Sequence, residues 1–88
     1  MGKRQLDLKR NISVNGKKYL VSTVDLAIAV DEYPFETMVF KRGAYGRVDY
    51  IDLYCERYKT LKEAIEGHEM ICCQLEDGEL ELREGYTV

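Results

Sequence analysis

The sequence contains no tryptophan, one histidine and one proline, and it lacks a long apolar segment. No apolar run approaches the roughly 18 residues that span a bilayer, and no apolar stretch follows the basic N-terminus as it does in a secretion signal. We therefore expect a protein of the cytoplasm without membrane contact. The 88 residues, of which 45% are apolar and 33% are charged, predict one globular domain covering residues 1–88.

Side chains that catalyse reactions or bind metals are also scarce. The three cysteines (Cys55, Cys72 and Cys73) are an odd number in a chain without a secretion signal, which favours reduced thiols over disulfides. His68 and Cys72 have the i, i+4 spacing of two helical metal ligands, but no C-x2-C or H-x3-H pair accompanies them. Cys72 and Cys73 lie in an acidic part of the chain, which disfavours a reactive thiolate. We expect no enzyme activity, no cofactor and no metal, and we keep a small metal-binding protein or hydrolase as the third alternative.

Charge is distributed unevenly along the chain, although the net charge is only −3. Residues 1–20 carry six Lys or Arg against one Asp, whereas residues 60–88 carry eight Asp or Glu against two basic residues. Such an asymmetry can steer a charged partner, or it can pair the basic end of one copy with the acidic end of another. A homo-oligomer is therefore one of the expected alternatives.

The clearest local pattern is Asn15-Gly16, which is typical of a two-residue type I′ turn because both residues tolerate a positive φ. It predicts a hairpin in which Asn11–Val14 pairs with a long strand, Tyr19–Val30. In that strand the even-numbered positions are nearly all apolar and the odd-numbered positions are mixed, which predicts one buried face. A helix over Asp25–Glu32 is the weaker alternative, since β-branched residues are frequent there.

Two further strands are predicted beyond Pro34, which interrupts the pattern. Phe35–Lys41 is rich in strand-forming residues, Arg42–Gly46 is a loop with two glycines, and Val48–Arg57 alternates. The alternation places Ile51, Leu53 and Cys55 on one face of this strand and Val48, Tyr50, Asp52 and Tyr54 on the other.

One helix is predicted, Thr60–Leu75, because Thr60 and Glu63 form a capping box. An apolar stripe follows at three- and four-residue spacings: Leu61, Ala64, Ile65, His68, Ile71, Cys72 and Leu75. Gly67 in mid-helix costs roughly 1 kcal/mol relative to alanine, which a close approach to a neighbouring backbone would explain. A short strand, Glu79–Arg83, is expected to follow. The fold class is therefore α+β: an antiparallel sheet of three to five strands with one helix on one face.

Tyrosines and arginines are concentrated around the second loop and the strand that follows it. The candidate partner-binding residues are Arg42, Tyr45, Arg47, Tyr50 and Tyr54. Tyrosine and arginine are enriched where protein interfaces are strongest, and the same side chains can stack on bases and hold phosphates. The alternative is that these tyrosines only cover the second face of the sheet.

The middle of the chain carries a specific pattern: FETMVF at residues 35–40, then RYKTLKEAIEGH at residues 57–68. It resembles small uncharacterised proteins of phages and prophages of Gram-positive bacteria, which carry ETMVF followed by RYxTxxEAxxGH. The resemblance covers roughly residues 35–69 and implies a genomic context rather than an activity. Phage proteins of this size are often accessory factors that bind host machinery or defence proteins.

We therefore expect an accessory protein of phage or prophage origin that acts by non-covalent binding to a host or defence protein, which it inhibits or modulates. The alternative is a nucleic-acid-associated module that uses Arg42, Arg47, the neighbouring tyrosines and the basic N-terminus. The acidic C-terminal third disfavours this alternative.

Overall fold

The computed structural model describes residues 6–26 and 32–83, which form an antiparallel sheet and one helix. The elements are β1 (Asp7–Val14), β2 (Lys17–Asp25), β3 (Phe35–Arg42), β4 (Val48–Tyr58) and α1 (Leu61–Glu76), with a 3-10 turn at Ala44–Gly46. The strands lie in the order β1-β2-β3-β4, so each strand pairs with its neighbour in the chain. The predicted α+β class is confirmed, with four strands and the helix on one face of the sheet.

The two strongest local patterns form as predicted. Asn15 and Gly16 both have positive φ, 51° and 79°, and Val14 pairs with Lys17 across the turn. At the start of α1, the Thr60 hydroxyl accepts a hydrogen bond from the Glu63 amide at 3.1 Å. The Thr60 amide donates in return to the Glu63 carboxylate at 3.2 Å, which completes the capping box.

The helix covers the mixed face of β2, not its apolar face, so the predicted orientation of this strand is wrong. Val21 and Thr23 are fully buried on the helix side, whereas the alternate residues Ser22 and Val24 are half-buried on the other side. Thr23 tolerates complete burial because its hydroxyl is hydrogen-bonded, as a buried polar group must be. The predicted continuation of this strand through residues 27–30 lies outside the described residues.

The buried stripe of α1 is narrower than predicted. Its buried residues are Ala64, His68, Ile71, Cys72 and Leu75. Leu61 and Ile65 remain 40% and 43% exposed, so their predicted burial is wrong. A helix lying on a sheet contacts it through a limited arc, and these two residues lie at the border of that arc.

Gly67 is explained by an aromatic ring rather than by a neighbouring backbone. A Cβ atom at position 67 would lie 2.5 Å from Cε1 of Tyr58 and closer still to Cζ and the hydroxyl oxygen. Tyr58 is buried beside Leu6, Phe35 and Ala64. Glycine is therefore the residue that lets the helix backbone lie against this ring.

The segment after the helix contacts the sheet without forming the predicted strand. Leu80 and Leu82 pack against the core formed by β1, β2, β3 and α1, as their alternation suggested. Within the described part of this segment, one backbone hydrogen bond reaches the sheet, from the Arg83 amide to the Leu53 carbonyl at 2.8 Å. Among the described residues, no helix has the length and apolar character needed to cross a membrane.

Candidate functional site

The loop between β3 and β4 holds a tyrosine away from the rest of the molecule. The Gly43 amide donates to the Arg47 carbonyl at 2.7 Å and closes the loop, and Tyr45 and Gly46 turn the chain with φ of 60° and 73°. The Tyr45 side chain is fully exposed. A left-handed conformation costs a residue with a side chain about 1–2 kcal/mol, so this exposed ring is presented at a cost in stability.

The face of the sheet opposite α1 carries a shallow groove, which we call the open-face groove. Its lining residues are Lys9, Ser22, Val24, Glu36, Met38, Phe40 and Tyr50. The Phe40 and Tyr50 rings meet edge to face with centroids 5.2 Å apart, which leaves Phe40 buried and Tyr50 74% exposed. Tyr50 also lines a second cleft with Gly43, Arg47, Val48 and Asp49, so it joins the groove to the loop.

Tyr54 does not share a face with Tyr50, and the prediction that it does is wrong. Tyr54 packs against the core on the helix side, where its hydroxyl donates to the Glu56 carboxylate. Burial raises the pKa of Tyr54 above its usual value, and this hydrogen bond raises it further. The reason for the change of face is a pair of register shifts in β3–β4 pairing, on either side of Phe40, since irregularities of this kind break strict alternation.

Five cationic residues lie at the end of the sheet that holds the β1–β2 and β3–β4 turns. We call Lys17, Lys18, Lys41, Arg42 and Arg47 the basic tip. Lys18 lies directly opposite Arg42 in the β2–β3 register, and Lys41 is opposite Asp49 in the β3–β4 register. Among the described residues, none of the five makes an ion pair. Asp49 lies opposite Lys41, and the end of α1 with the turn after it, at Leu75 and Gly78, lies beside Lys17, so the cations that stand clear of these acidic parts are Lys18, Arg42 and Arg47.

The structure brings together four of the five predicted binding residues: Arg42, Tyr45, Arg47 and Tyr50. It adds Lys18, Met38 and Phe40, which sequence reasoning missed. The sequence did contain a signal for Lys18. The turn at Asn15-Gly16 predicts that β2 begins directly after it, and antiparallel pairing of β2 with β3 brings the start of β2 beside the end of β3. Met38 and Phe40 had no such signal, since their position depends on which face the helix covers.

On the helix side of the sheet, a network of buried polar side chains connects α1 to β2 and β3. The Thr23 hydroxyl lies 2.5 Å from that of Thr37 and 2.7 Å from Nδ1 of His68, whose Nε2 faces the Cys72 sulfur at 3.9 Å. Burial, reinforced by the charge of Arg10, lowers the pKa of His68 and favours the neutral ring. All four residues are buried, so this network holds the helix against the sheet.

The cysteines and possible metal ligands do not converge on a reactive site. Burial, with the nearby Glu36 carboxylate, raises the pKa of the Cys55 thiol to about 11. Burial also raises the pKa of Cys72, which disfavours a nucleophilic thiolate. Over residues 6–26 and 32–83, no group of three or more His, Cys, Asp or Glu is arranged to hold a metal ion.

No protein-family model matches the chain, and no curated protein or solved structure is significantly similar to it. A function must therefore be inferred from the geometry of the described residues.

Proposed function

We propose that this chain is a small accessory protein of phage or prophage origin that acts in the bacterial cytosol by non-covalent binding to a host or defence protein, which it inhibits or modulates. One observation carries the proposal. The sheet face opposite α1 is not covered by any described element, and its open-face groove leads directly to an exposed loop that carries Tyr45 and Arg47.

The side chains of this surface support binding to a protein. Tyr45 and Tyr50 offer large rings whose few rotatable bonds make ordering inexpensive, and such rings are enriched among the strongest interface contacts. The half-buried residues Val24 and Met38 provide an apolar floor beside them. A partner that covers the groove removes apolar surface from water, while the loop contributes specific contacts.

The position of His68 supports binding rather than catalysis by this residue. His68, which is the one histidine of the sequence, is buried, and its two ring nitrogens face Thr23 and Cys72. A general acid or base must reach a substrate within hydrogen-bonding distance. His68 in this position supports the packing of α1 on the sheet.

The proposal is tested by affinity capture of proteins from a bacterial host lysate, followed by direct titration of the captured protein. We expect the double variant Tyr45→Ala with Arg47→Ala to keep its melting temperature within a few degrees, because both side chains are exposed. It should lose about tenfold or more in affinity, roughly 1.4 kcal/mol.

The matched control changes the acidic surface instead, by Glu66→Lys with Glu81→Lys. Both residues are exposed, whereas Glu69 is excluded from the control because it pairs with Arg10 at 2.7 Å. Loss of binding in the acidic variant and unchanged binding in the loop variant would move the interface to the helix side. Sedimentation of the free protein tests the remaining alternative, in which a second copy is the partner.

The basic tip favours one second candidate, a nucleic-acid-associated module. Its five cations and two exposed tyrosines could contact phosphates and stack on bases. Affinity for single-stranded DNA should then fall steeply as salt is raised, because bound counterions are released on binding. Binding that is weak and insensitive to these five positions would exclude this role.

A further inference from the structure

We infer that the segment recognised by this protein is an extended acidic stretch of polypeptide, with one large apolar side chain in the open-face groove and carboxylates on the basic tip. The inference rests on the proposed function and specifies the chemistry of the partner. Three observations carry it: the ion pairing of the cations, the lining of the groove, and the distance between the two.

The cations of the basic tip make no ion pair, whereas most of the described cations elsewhere do. Away from the tip, the paired cations and their partners are Lys9 with Asp7, Arg10 with Glu69, Arg57 with Glu36, Lys59 with Glu32, and Arg83 with Asp52. Within the described ranges, the tip holds five of the six cations that make no ion pair, and Lys62 on α1 is the sixth. Like charges directly across a strand pair, such as Lys18 and Arg42, are destabilising. Carboxylates from a partner would remove that repulsion.

The groove accepts an apolar group rather than a second charge. Val24, Met38 and Phe40 are among its apolar lining residues, and it has a volume of about 240 Å³. That volume is sufficient for one large aliphatic or aromatic side chain. Phe40 is buried and packs against the Tyr50 ring, so an incoming group contacts Met38 and the exposed part of Tyr50.

The spacing between groove and tip defines how far apart the apolar and acidic residues lie in the partner. A strand rises about 3.3 Å per residue, so Arg42 lies roughly 13 Å beyond Met38 and roughly 7 Å beyond Phe40 along β3. An extended segment that lies along β3 therefore reaches Arg42 and Lys18 two to four residues away from its apolar anchor, after it if the segment runs parallel to β3 and before it if antiparallel. We expect the acidic residues of the partner at those positions.

The same surface is less suited to nucleic acid. Lys9 and Glu36 line the groove and already make ion pairs, with Asp7 and Arg57, so the groove offers a phosphate chain no unpaired cation. Only the Tyr50 ring offers an open stacking surface there, since the Phe40 ring is buried. Apart from Lys62 on α1, the described cations that make no ion pair lie at one end of the sheet, whereas nucleic-acid backbones are held along an extended positive groove.

The test is a selection from a displayed library of random twelve-residue peptides on the full-length protein. Counter-selection uses the triple variant Lys18→Gln, Arg42→Gln and Arg47→Gln, and Lys62→Gln is the matched control because Lys62 is an exposed, unpaired cation away from the tip. One enriched peptide is then synthesised, labelled and titrated against each variant. A version with Asn and Gln in place of Asp and Glu is titrated in parallel, as is a twelve-nucleotide single-stranded DNA.

The expected peptides carry Asp or Glu two to four residues from an aromatic or large aliphatic residue, consistently on one side of it. Affinity should fall at least tenfold in the triple variant and in the neutral peptide, and stay unchanged in Lys62→Gln. Met38→Asn should also weaken binding, because it makes the floor of the groove polar. The triple variant should keep or raise its melting temperature, since the repulsion between positions 18 and 42 is lost.

Three results would overturn the inference: no enrichment over the triple variant, enrichment without an excess of acidic residues, or tighter tip-dependent binding of the DNA. If a cellular protein is still captured in a manner that needs Tyr45 and Arg47, the proposed function survives and only the acidic chemistry is wrong. If the acidic-peptide selection fails and no cellular protein is captured in a manner that needs Tyr45 and Arg47, both proposals are wrong.

Discussion

Replacing Gly67 by alanine should destabilise the protein, although alanine is the better helix former. In an unobstructed helix this change stabilises by about 1 kcal/mol. Here the new methyl group would overlap the Tyr58 ring, which lies 2.5 Å or less from the Cβ position. The ring cannot move aside at low cost, because it is buried among Leu6, Phe35 and Ala64.

The size of the effect follows from the two opposing contributions. Forcing an extra methyl group into a packed site typically costs about 1–3 kcal/mol, or more where the overlap is severe. Because the overlap is severe, we expect a cost near 3 kcal/mol, and subtraction of the helix-propensity gain of about 1 kcal/mol leaves a loss of about 2 kcal/mol. For a domain of this size, each kcal/mol shifts the melting temperature by roughly 4–8 °C.

Chemical denaturation and thermal melting of three variants test this reasoning. Gly43→Ala is the matched control, because a Cβ there meets only the Arg47 carbonyl oxygen at 3.8 Å and the φ of Gly43 is negative. It should be close to neutral. In a Tyr58→Leu background the sign should reverse, so that Gly67→Ala stabilises. A neutral or stabilising Gly67→Ala in the otherwise unchanged protein would refute the assigned contact.

Three further predictions concern the helix and the thiols. Ile71→Ala should cost about 2–4 kcal/mol of unfolding free energy, whereas Ile65→Ala should cost about 1 kcal/mol or less, because only Ile71 is buried. Since burial lowers the pKa of His68 from 6.5, the unfolded chain binds the proton more readily. The melting temperature should therefore fall as the pH drops below about 6.5, and His68→Gln should weaken that dependence. With a thiol reagent, exposed Cys73 should react in the folded protein, whereas buried Cys72 should react only after unfolding.

The features that could be predicted from the sequence are those decided by a few neighbouring residues. The turn at Asn15-Gly16 requires two positive φ values, and both residues supply them at low cost. The start of α1 depends on Thr60 and Glu63, which satisfy each other's backbone. Four of the five candidate binding residues lie together for the same reason, because they belong to one loop and the strand ends beside it.

The features that could not be predicted depend on which face the helix covers and on strand irregularities. The polar side of β2 is buried because Thr23 finds Thr37 and His68, which are 14 and 45 residues away in the chain. Tyr54 changes face because β4 carries extra residues opposite Phe40. Neither a distant hydrogen-bond partner nor a register shift is visible in local alternation, so both errors have a physical origin.

The order of the elements along the chain has a consequence for synthesis on the ribosome. Each strand pairs with the strand made just before it, so the loops that must close are short and the sheet can assemble quickly. The element that covers Val21 and Val39 is the helix, which follows all four strands. A nascent chain halted before Leu61 would therefore expose both faces of its sheet, and such intermediates are prone to aggregate. The charged side chains of Lys9 and Arg10 on the edge strand β1 disfavour edge-to-edge pairing with another chain during that interval.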